Sequence, residues 1–419
     1  MRVKKIYYGW YVVLVSAVLT AVGLGMFSST NSVFVKPVCE SLGFARAEFT
    51  FHRTIITLIG MLVMPLYGRL IVKVGVKKIL LTGAIMLGLV TAGYSFANKI
   101  WHFYLLALIN GIFLNGVSFM SIGILINAWF DGKKGLATGL AYAGSGFGGA
   151  VMIPVTGKII EWTSWQWAYR FIGILGILVL LPIIILFVKN SPADMGLKPL
   201  PADKNQMKQG NRNQNSYDFH QALRSGKFWL VVTAFFLINF FAGCTNTHTV
   251  PYLSDIGYPV AFTASVMSVF MVFLILGKVI LGIIYDRLGS LAGNLIIAFF
   301  SLGFPVLALL ASNPAMPWLY AMFIGMASSG VSVPIAVLVN RYFGDKDFPA
   351  IFSFCSMIAV FAPSISVPAM GAVYDTTGSY RPAWWGLFIL SVLITVCLVG
   401  AEWLNRRPQV VIVGNKLAE

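Results

Sequence analysis

The sequence has 419 residues, of which 58% are hydrophobic, 14% are aromatic and only 11% are charged. A soluble globular domain carries about 25% charged residues, so this composition excludes an ordinary water-soluble protein and indicates a chain that lies in lipid. The formal net charge of +16 would suggest a nucleic-acid partner for a soluble protein. In a membrane protein it indicates basic loops on one side of the bilayer, and we expect no nucleic acid.

The start of the chain and the cysteines indicate no processing or cross-linking. The apolar run that begins at Gly9 is too long for a signal peptide and lacks a cleavage motif, so we interpret it as a first membrane span. The four cysteines have no paired spacing and predict neither a disulfide framework nor a metal site. They are Cys39, Cys244, Cys355 and Cys397.

Apolar runs of about 20 residues, each long enough to cross a bilayer as an α-helix, recur along the chain with short polar breaks. One long polar segment, 190–224, separates the sixth run from the seventh and is predicted to be a cytoplasmic linker. The sequence thus predicts an all-α membrane protein of twelve transmembrane helices in two pseudo-symmetric six-helix bundles, 1–189 and 225–419. The predicted spans 1 to 12 are 9–33, 50–72, 77–96, 101–129, 135–160, 168–189, 225–250, 261–284, 291–311, 317–341, 350–373 and 382–404.

Basic residues are distributed unequally between the two sides that alternating spans define. The side that carries both predicted chain ends holds 22 of the 30 lysines and arginines, the other side holds seven, and Lys278 lies inside a span. Positively charged loops stay in the cytoplasm when a membrane protein is inserted. We therefore predict a multi-pass protein of the cytoplasmic membrane with both termini in the cytoplasm.

Three short motifs recur in the two halves at nearly one offset. GRLIVKVG at 68–75 and GIIYDRLG at 282–289 lie 214 residues apart, and so do GKIIEWT at 157–163 and GAVYDTT at 371–377. NAWFDGK at 127–133 and NRYFGDK at 340–346 lie 213 apart. Parallel repeats of six spans imply a pseudo-two-fold axis along the membrane normal and a central cavity where the two halves meet.

The repeated loops resemble the signature of the major facilitator superfamily, G-x-x-x-D-[RK]-x-G. The second copy is complete, whereas the first has Val72 in place of the aspartate. Within the superfamily the chain is most similar to monocarboxylate transporters and oxalate:formate antiporters, through WFDGKKGLATGLAYAGSGFGG before and within span 5, VPYL near the end of span 7 and D-x-x-G-S-Y after span 11. The resemblance covers nearly the whole chain. We expect the two loops to gate transport, through Gly68, Arg69, Lys73 and Gly75 and through Gly282, Asp286, Arg287 and Gly289.

Lys278 is the main candidate for binding an anion. It lies eight residues before Asp286, and therefore roughly 12 Å deep, where a charge costs about 2.5 to 3.5 kcal/mol on insertion scales. No acidic residue is predicted near the middle of any other span, which favours a substrate as its partner; a snorkelling or structurally paired lysine is the alternative. The resemblance implies the same role, because relatives carry a cation here, usually arginine, that meets the substrate carboxylate. Many animal relatives have an aspartate at the position of Leu274, so a proton-carrying role for that acid is not transferred.

The other candidate substrate-binding residues are polar or aromatic side chains within spans 1, 4, 5, 7 and 10. His248 is also a candidate for proton coupling, together with Lys278, because histidine titrates near neutral pH. Serines in spans commonly bond to their own helix carbonyls, which is the structural alternative for several of these residues. Six glycines between 135 and 149 predict close packing of span 5 against its neighbours. The candidates are Ser29, Asn31, Asn115, Phe119, Ser145, His248 and Ser332.

The sequence contains no nucleotide-binding loop, metal-ligand cluster or nucleophile with a base at useful spacing. We therefore expect a protein that is not an enzyme and that needs no cofactor. The predicted function is secondary active transport of a small organic anion, a monocarboxylate such as lactate or pyruvate. A monomer would move it by alternating access, with proton symport or anion exchange. The alternatives are a carrier of a neutral or cationic solute and a membrane sensor that does not transport.

Overall fold

The computed structural model describes residues 7–201 and 216–406. Within these ranges the chain is almost entirely helical and forms no strand beyond a single bridge between Phe130 and Leu200. Eleven helices in this part of the chain are long and apolar enough to cross a membrane, and the bent pair Met316–Val331 and Val333–Phe343 makes twelve. The prediction of a twelve-span all-α membrane protein is therefore confirmed.

The twelve spans occur in the predicted order, and their bounds are as follows. In the first half they are Gly9–Thr20, Ala21–Met26 and Asn31–Leu42 (span 1), Arg46–Val74 (2), Val76–Gly93 (3), Ile100–Leu114 and Phe119–Trp129 (4), Lys134–Trp162 (5) and Trp165–Phe187 (6). In the second half they are Gly226–Asp255 (7), Val260–Leu288 (8), Ser290–Leu309 (9), Met316–Ser328 and Val333–Phe343 (10), Phe348–Thr377 (11) and Arg381–Arg406 (12).

Spans 1, 4 and 10 are not the continuous helices that hydropathy predicts. Span 1 contains a π-helical turn and extends to Leu42 instead of ending at 33. Spans 4 and 10 each break at a 3₁₀ turn followed by a serine, Ser118 or Ser332, and span 10 bends there by 43°. The Ser118 hydroxyl accepts a hydrogen bond from Met120 N–H (3.3 Å) and so replaces a helix bond. Pro334 has no N–H to donate, so a helix bond is missing at the break in span 10. A hydropathy average does not register such short interruptions.

Hydrogen bonds between helix ends show which ends share a face of the bundle. Three hydrogen bonds each join the start of an odd-numbered span to the end of an even-numbered span. One lies within the first half, one lies within the second half and one connects the two halves. The odd-numbered spans therefore begin at one face, which we call the proximal face, and end at the opposite, distal face. The bonds join Tyr8 Oη to Phe187 O (2.9 Å), Lys227 Nζ to Asn405 Oδ1 (3.3 Å) and Lys134 Nζ to Asn340 Oδ1 (3.0 Å).

The backbone follows the internal repeat found in the sequence. Gly75 and Gly289, which are 214 residues apart, end spans 2 and 8 with φ angles of 86° and 89°. Only glycine adopts such angles without strain, which explains its place at both turns. The helix breaks at Ser118 and Ser332 are also 214 residues apart. The two halves are therefore two copies of one six-helix arrangement.

The described parts of the predicted linker dock against equivalent loops of the two halves. Leu200 N–H donates to Trp129 O (3.0 Å) at the end of span 4, and Tyr217 N–H donates to Phe343 O (2.9 Å) at the end of span 10. A short helix, Phe219–Arg224, then leads into span 7. Residues 202–215 lie outside the described residues, and the predicted domain boundaries at 189 and 224 stay predictions.

Span 5 packs closely on both sides, as its glycines predict. A Cβ on Gly144 or Gly148 would clash with the backbone carbonyl of Ala17 or Ala21 in span 1. A Cβ on Gly139 would clash with the carbonyl of Lys278 in span 8, across the boundary between the halves. Small residues thus let three helix backbones approach each other, and one of these contacts joins the two halves.

Candidate functional site

A cavity of about 310 Å³ lies between the two halves, on the distal side of the place where they touch. Spans 1, 2 and 4 line it from the first half, and spans 7, 10 and 11 line it from the second. The breaks in spans 4 and 10 both border it, through Ser118 and Ser332. The described lining contains one charged side chain, Arg53, and no aspartate, glutamate or histidine.

Arg53 is the functional candidate that the sequence reasoning missed. It lies seven residues after the start of span 2, roughly 10 Å along the helix from the distal end. Its side chain is exposed to solvent and lines the cavity. Its guanidinium makes no hydrogen bond or ion pair with any described residue. The sequence did carry a signal, because Arg53 falls inside the predicted span at 50–72, but its charge was assigned to the distal loops.

Lys278 lies beside the cavity and does not line it. Its ammonium group is buried and donates hydrogen bonds to Tyr142 O (3.1 Å) and Ser145 Oγ (2.9 Å) in span 5. The same group lies 5.1 Å from the centre of the Phe119 ring, which does line the cavity. No carboxylate among the described residues pairs with it. Lys278 therefore joins span 8 of one half to span 5 of the other, behind Phe119.

Four of the eight predicted substrate-binding residues line the cavity, and four do not. Asn31, Asn115, Phe119 and Ser332 belong to the lining. Lys278 and Ser145 form the pair behind Phe119, and the Ser29 hydroxyl donates to Leu24 O (3.2 Å) on its own helix. The neighbouring Ser28 lines the cavity in place of Ser29.

His248 lies apart from the cavity, between spans 7, 11 and 12. Its Nε2 faces Val367 O (3.0 Å), and its Nδ1 faces the hydroxyl of Tyr380 (3.2 Å). A neutral imidazole with its proton on Nε2 satisfies both contacts, because a carbonyl can only accept and a tyrosine hydroxyl can donate. The position thus has a structural explanation, and the predicted roles of His248 in substrate binding and proton coupling stay predictions.

Most amides of the cavity already donate to backbone carbonyls. Asn115 Nδ2 donates to Gly60 O (2.6 Å) in span 2, and Asn31 Nδ2 donates to Ser28 O (3.2 Å). Asn239 Nδ2 donates to the carbonyl of Phe235 (2.9 Å). Asn110 makes no hydrogen bond with a described residue, and the Ser332 hydroxyl is buried without a partner. The side chains that make no hydrogen bond with a described residue, and are therefore left for a ligand, are Arg53, Asn110, Ser28, Ser332 and Ser356.

The halves touch near the proximal face at two places that the repeat relates to each other. At the first, Asp286 of the loop signature lies at the start of span 5. Its two carboxylate oxygens accept hydrogen bonds from Gly135 N–H (2.9 Å) and Leu136 N–H (2.7 Å). A carboxylate is stabilised at a helix N-terminus because it satisfies unpaired N–H groups and complements the helix dipole. We call this contact the charged contact.

At the second place, span 2 meets the start of span 11 without a charge. Val72 holds the position of the aspartate, and Pro349, which has no N–H, holds the position of Gly135. A Cβ on Gly68 would lie 2.7 Å from Pro349 O and would also clash with the Ser353 hydroxyl, so the helices pack backbone to backbone. We call this contact the uncharged contact. Arg69 and Lys73 beside it are exposed, as is Arg287 beside the charged contact.

A polar cluster around Asp345 also bridges the halves at the proximal face. Asp345 Oδ1 accepts from Asn127 Nδ2 (2.9 Å) and lies 3.4 Å from Lys134 Nζ, both in the first half. Burial acts to raise the pKa of Asp345, but Lys134, Asn127 and Asn340 together hold that pKa below its usual value. Because the pKa is lower in the folded protein, the ionised carboxylate stabilises the cluster above about pH 4, and this stabilisation is lost as the pH falls below that.

The geometry places a cavity on the distal side of the contacts between the halves, and these contacts lie near the proximal face. A cationic side chain lines the cavity together with four uncharged polar side chains that make no hydrogen bond with a described residue, which suits the binding of a small anion. Among the described residues, no group of three or more His, Cys, Asp or Glu side chains is placed to hold a metal ion.

Comparison with known proteins gives the same fold. The family model of the Major Facilitator Superfamily matches residues 13–324. A crystal structure of the transporter FucP in the outward conformation superposes with a TM-score of 0.67 at 15% identity, covering 95% of this chain and 99% of that chain.

Relatives with curated names include several transporters. The chain is 23% identical to the uncharacterized MFS-type transporter YcxA of Bacillus subtilis over 93% of this chain and 92% of the relative. It is 26% identical to monocarboxylate transporter 13 of Bos taurus, over 93% and 89% of the two chains. It is 27% identical to the oxalate:formate antiporter of Oxalobacter formigenes, over 59% and 56%. The chain belongs to the major facilitator superfamily of membrane transporters.

Proposed function

We propose that this protein is a secondary active transporter that moves a small organic anion, a monocarboxylate such as lactate or pyruvate, by alternating access. The observation that carries the proposal is the charge of the central cavity. Arg53 faces it with no bond to a described residue, and no acidic side chain belongs to its described lining. A cavity with one unpaired cation in a low-dielectric surrounding favours an anion over a neutral or cationic solute.

Lys278 supports the proposal from a second position. Its ammonium lies 5.1 Å from the centre of the Phe119 ring, which lines the cavity, and is held by uncharged partners in span 5. A rearrangement of Phe119 would expose this second cation to a bound anion. The named functions of two relatives, a monocarboxylate transporter and an oxalate:formate antiporter, point to carboxylates as well.

The gating residues fit a cycle in which the structure is the state closed at the proximal face. Asp286 makes its hydrogen bonds only while span 5 of the first half lies against span 8 of the second. The proximal face is the one predicted from its basic residues to lie in the cytoplasm. With that orientation, the cavity opens to the outside of the cytoplasmic membrane, and opening the two proximal contacts would deliver the anion inward.

The rival within transport is a carrier of a neutral or cationic solute, in which Arg53 and Lys278 would be structural charges. The cationic version is disfavoured, because a cation in the cavity would meet Arg53 without a compensating carboxylate. A sensor that binds a metabolite without moving it would use the same cavity. Flux measurements separate these alternatives.

We propose no catalytic step and no cofactor. A monomer suffices because one chain supplies both halves of the cavity.

Uptake into proteoliposomes tests the proposal. Purified protein would be reconstituted, and uptake of radiolabelled lactate, pyruvate, formate and oxalate would be measured, with labelled glucose as the neutral control. An inward proton gradient drives symport, whereas an internal load of unlabelled anion drives exchange, so the two conditions separate the mechanisms. We expect uptake of at least one acid under one condition and none of glucose. Uptake of glucose alone, or binding without flux of any acid, would overturn the proposal.

A further inference from the structure

The two walls of the cavity differ in chemistry. The first-half wall carries the only charged lining residue among those described, Arg53, with the unbonded Asn110 near it. Asn110 and Arg53 lie within about one helical turn in depth, because Gly111 packs against Ile56 O of span 2. The second-half wall has no charged residue in its described lining, and most of its residues are apolar: Val331, Ile335, Phe352, Ala359 and Val360, beside the polar Asn239, Ser332 and Ser356.

The size of the cavity exceeds that of the smallest organic acids. A cavity of about 150 Å³ binds benzene, which has six non-hydrogen atoms, so a cavity of 310 Å³ accommodates about twelve. Formate has three such atoms, and pyruvate and oxalate have six. Each of these acids would leave a large part of the second-half wall without contacts, and unfilled apolar space lowers affinity because the lining loses dispersion contacts.

The charges of the cavity limit the ligand to one negative group. Arg53 offers a planar donor set that can bind one carboxylate in two parallel hydrogen bonds. Lys278 is occupied by Tyr142 O and Ser145 Oγ in this state. A second carboxylate would lie against the second-half wall, whose described lining has no charged side chain and offers only the uncharged Asn239, Ser332 and Ser356 to replace its hydration.

We propose that the transported anion is an amphipathic monocarboxylate of about eight to twelve non-hydrogen atoms, with its carboxylate on Arg53 and its apolar body on the second-half wall. This inference rests on the proposed function and narrows its substrate class. Arg53 is then the residue that binds the anion in this state. Asn110 provides a second polar contact for the carboxylate, and Ser332 offers one for a polar substituent on the body.

A chain-length series of acids tests the inference by binding. Affinity would be measured by isothermal titration calorimetry on the purified full-length protein with pyruvate, 2-oxobutanoate, 2-oxopentanoate, 4-methyl-2-oxopentanoate and phenylpyruvate. Burial of each methylene contributes about 0.8 kcal/mol, which corresponds to roughly a fourfold gain in affinity. We expect 4-methyl-2-oxopentanoate to bind on the order of 50-fold more tightly than pyruvate. Its uncharged amide and the dianion oxalate should bind at least tenfold more weakly than it does.

Variants of Arg53 locate the carboxylate. Arg53→Gln should lower the affinity for 4-methyl-2-oxopentanoate by about 30-fold, and Arg53→Lys should retain part of it, because a charged hydrogen bond contributes about 2 kcal/mol. Arg381→Gln is the matched control, since Arg381 is an exposed arginine at the distal start of span 12, outside the cavity, and it should leave the affinity unchanged. An unchanged melting temperature of each variant without ligand shows that folding is retained.

A variant of the apolar wall locates the body of the acid. Val360→Thr keeps the volume but adds a hydroxyl, and it should weaken 4-methyl-2-oxopentanoate severalfold while leaving pyruvate nearly unaffected. Equal affinities along the series, tightest binding of oxalate, or full affinity in Arg53→Gln would overturn the inference. If short acids are transported under those outcomes, the proposed function survives. If no acid binds or moves, both proposals fail.

Discussion

The charged and uncharged contacts at the proximal face have the same backbone geometry and different chemistry. In each, a glycine of the repeated loop signature, Gly282 or Gly68, lets a helix from one half lie against the start of a helix from the other. At the charged contact the Asp286 carboxylate accepts two helix N–H bonds. At the uncharged contact Val72 and Pro349 hold the equivalent positions.

The comparison teaches that the hydrogen-bond acceptor and one of its N–H donors change as a pair. Asp286 and Gly135 are both present at the charged contact, and Val72 and Pro349 replace both at the uncharged contact. An aspartate at position 72 facing Pro349 would lack one of its two N–H donors. A valine facing a glycine would leave a backbone N–H without a partner, which costs about 1 to 3 kcal/mol when the group is buried. With both changes, the acceptor and one of its two N–H donors are absent together, and closure at the uncharged contact depends on packing. The charged contact should therefore contribute more to holding the proximal face closed.

The largest effect is expected from Gly282→Ala. The added Cβ would meet the backbone carbonyl of Gly135, which cannot rotate away, and overpacking of this kind costs about 3 kcal/mol. The closed proximal face should become roughly 100-fold less populated relative to the open one. Electron paramagnetic resonance distances between labels at Lys78→Cys and Leu288→Cys, both exposed on this face, measure the two populations.

Gly68→Ala is the matched comparison for this prediction. Its Cβ would meet the Ser353 side chain, which can rotate, and the Pro349 carbonyl at 2.7 Å. The shift toward the open face should therefore be smaller than that of Gly282→Ala. The four native cysteines are buried, so the labels should attach at the introduced sites. Equal shifts for the two variants would show that the contacts are equivalent.

Asp286→Asn should have the next largest effect. It removes the charge and leaves one carbonyl oxygen for two N–H groups, at a cost of about 2 kcal/mol. We expect about a 30-fold shift toward the open proximal face, measured with labels at Lys78→Cys and Leu288→Cys. Asp131→Asn, the same change at an exposed aspartate just before span 5, serves as the control. Distances unchanged from those of the parent would contradict a stabilising role for this carboxylate.

Converting the uncharged contact into a charged one should stabilise closure. Val72→Asp combined with Pro349→Ala restores both the acceptor and the missing N–H, and should favour the closed face by about 1 kcal/mol, a shift of roughly fivefold. Val72→Asp alone should gain less, because only the Ala350 N–H would be available. Equal behaviour of the single and double variants in the same distance measurement would show that the N–H of residue 349 does not matter.

The smallest effect is expected at the polar cluster around Asp345. Its side chain is largely exposed, as is usual for ion pairs of little net worth. Asp345→Asn should shift the closed population less than threefold at pH 7. Because the pKa of Asp345 is below its usual value, this residue should give the parent no pH dependence of closure between pH 5 and 8. A large change in closure in this range that Asp345→Asn abolishes would contradict the assignment.

The fold could be predicted from the sequence because the signals used, hydropathy and the internal repeat, are averages over many residues. Twenty apolar residues or a repeated loop tolerate single exceptions, and the equivalence of Gly75 and Gly289 was visible as an offset of 214. The breaks at Ser118 and Ser332 were missed, because two or three residues do not alter the hydropathy of a span.

The candidate site depends on the directions of individual side chains, which hydropathy does not predict. The depth of Lys278 could be inferred from its spacing to Asp286, but the direction of its side chain depends on which helix packs against span 8. Span 5 supplies Tyr142 O and Ser145 as partners. Arg53 was missed because a charge near the end of a span is usually a loop residue. The role of Arg53 depends on which side of span 2 faces the other half of the molecule.

The absence of titrating acids and histidines from the described cavity lining has an electrical consequence. An anion that binds there carries its charge across the membrane, because Arg53 stays with the protein. No acid or histidine in the described lining takes up a proton to cancel the charge of the anion. Each elementary charge moved against a membrane potential of 100 mV costs about 2.3 kcal/mol. A one-for-one swap of two monoanions is electrically silent, so voltage clamped across the bilayer would leave its rate unchanged while slowing net import of the anion alone.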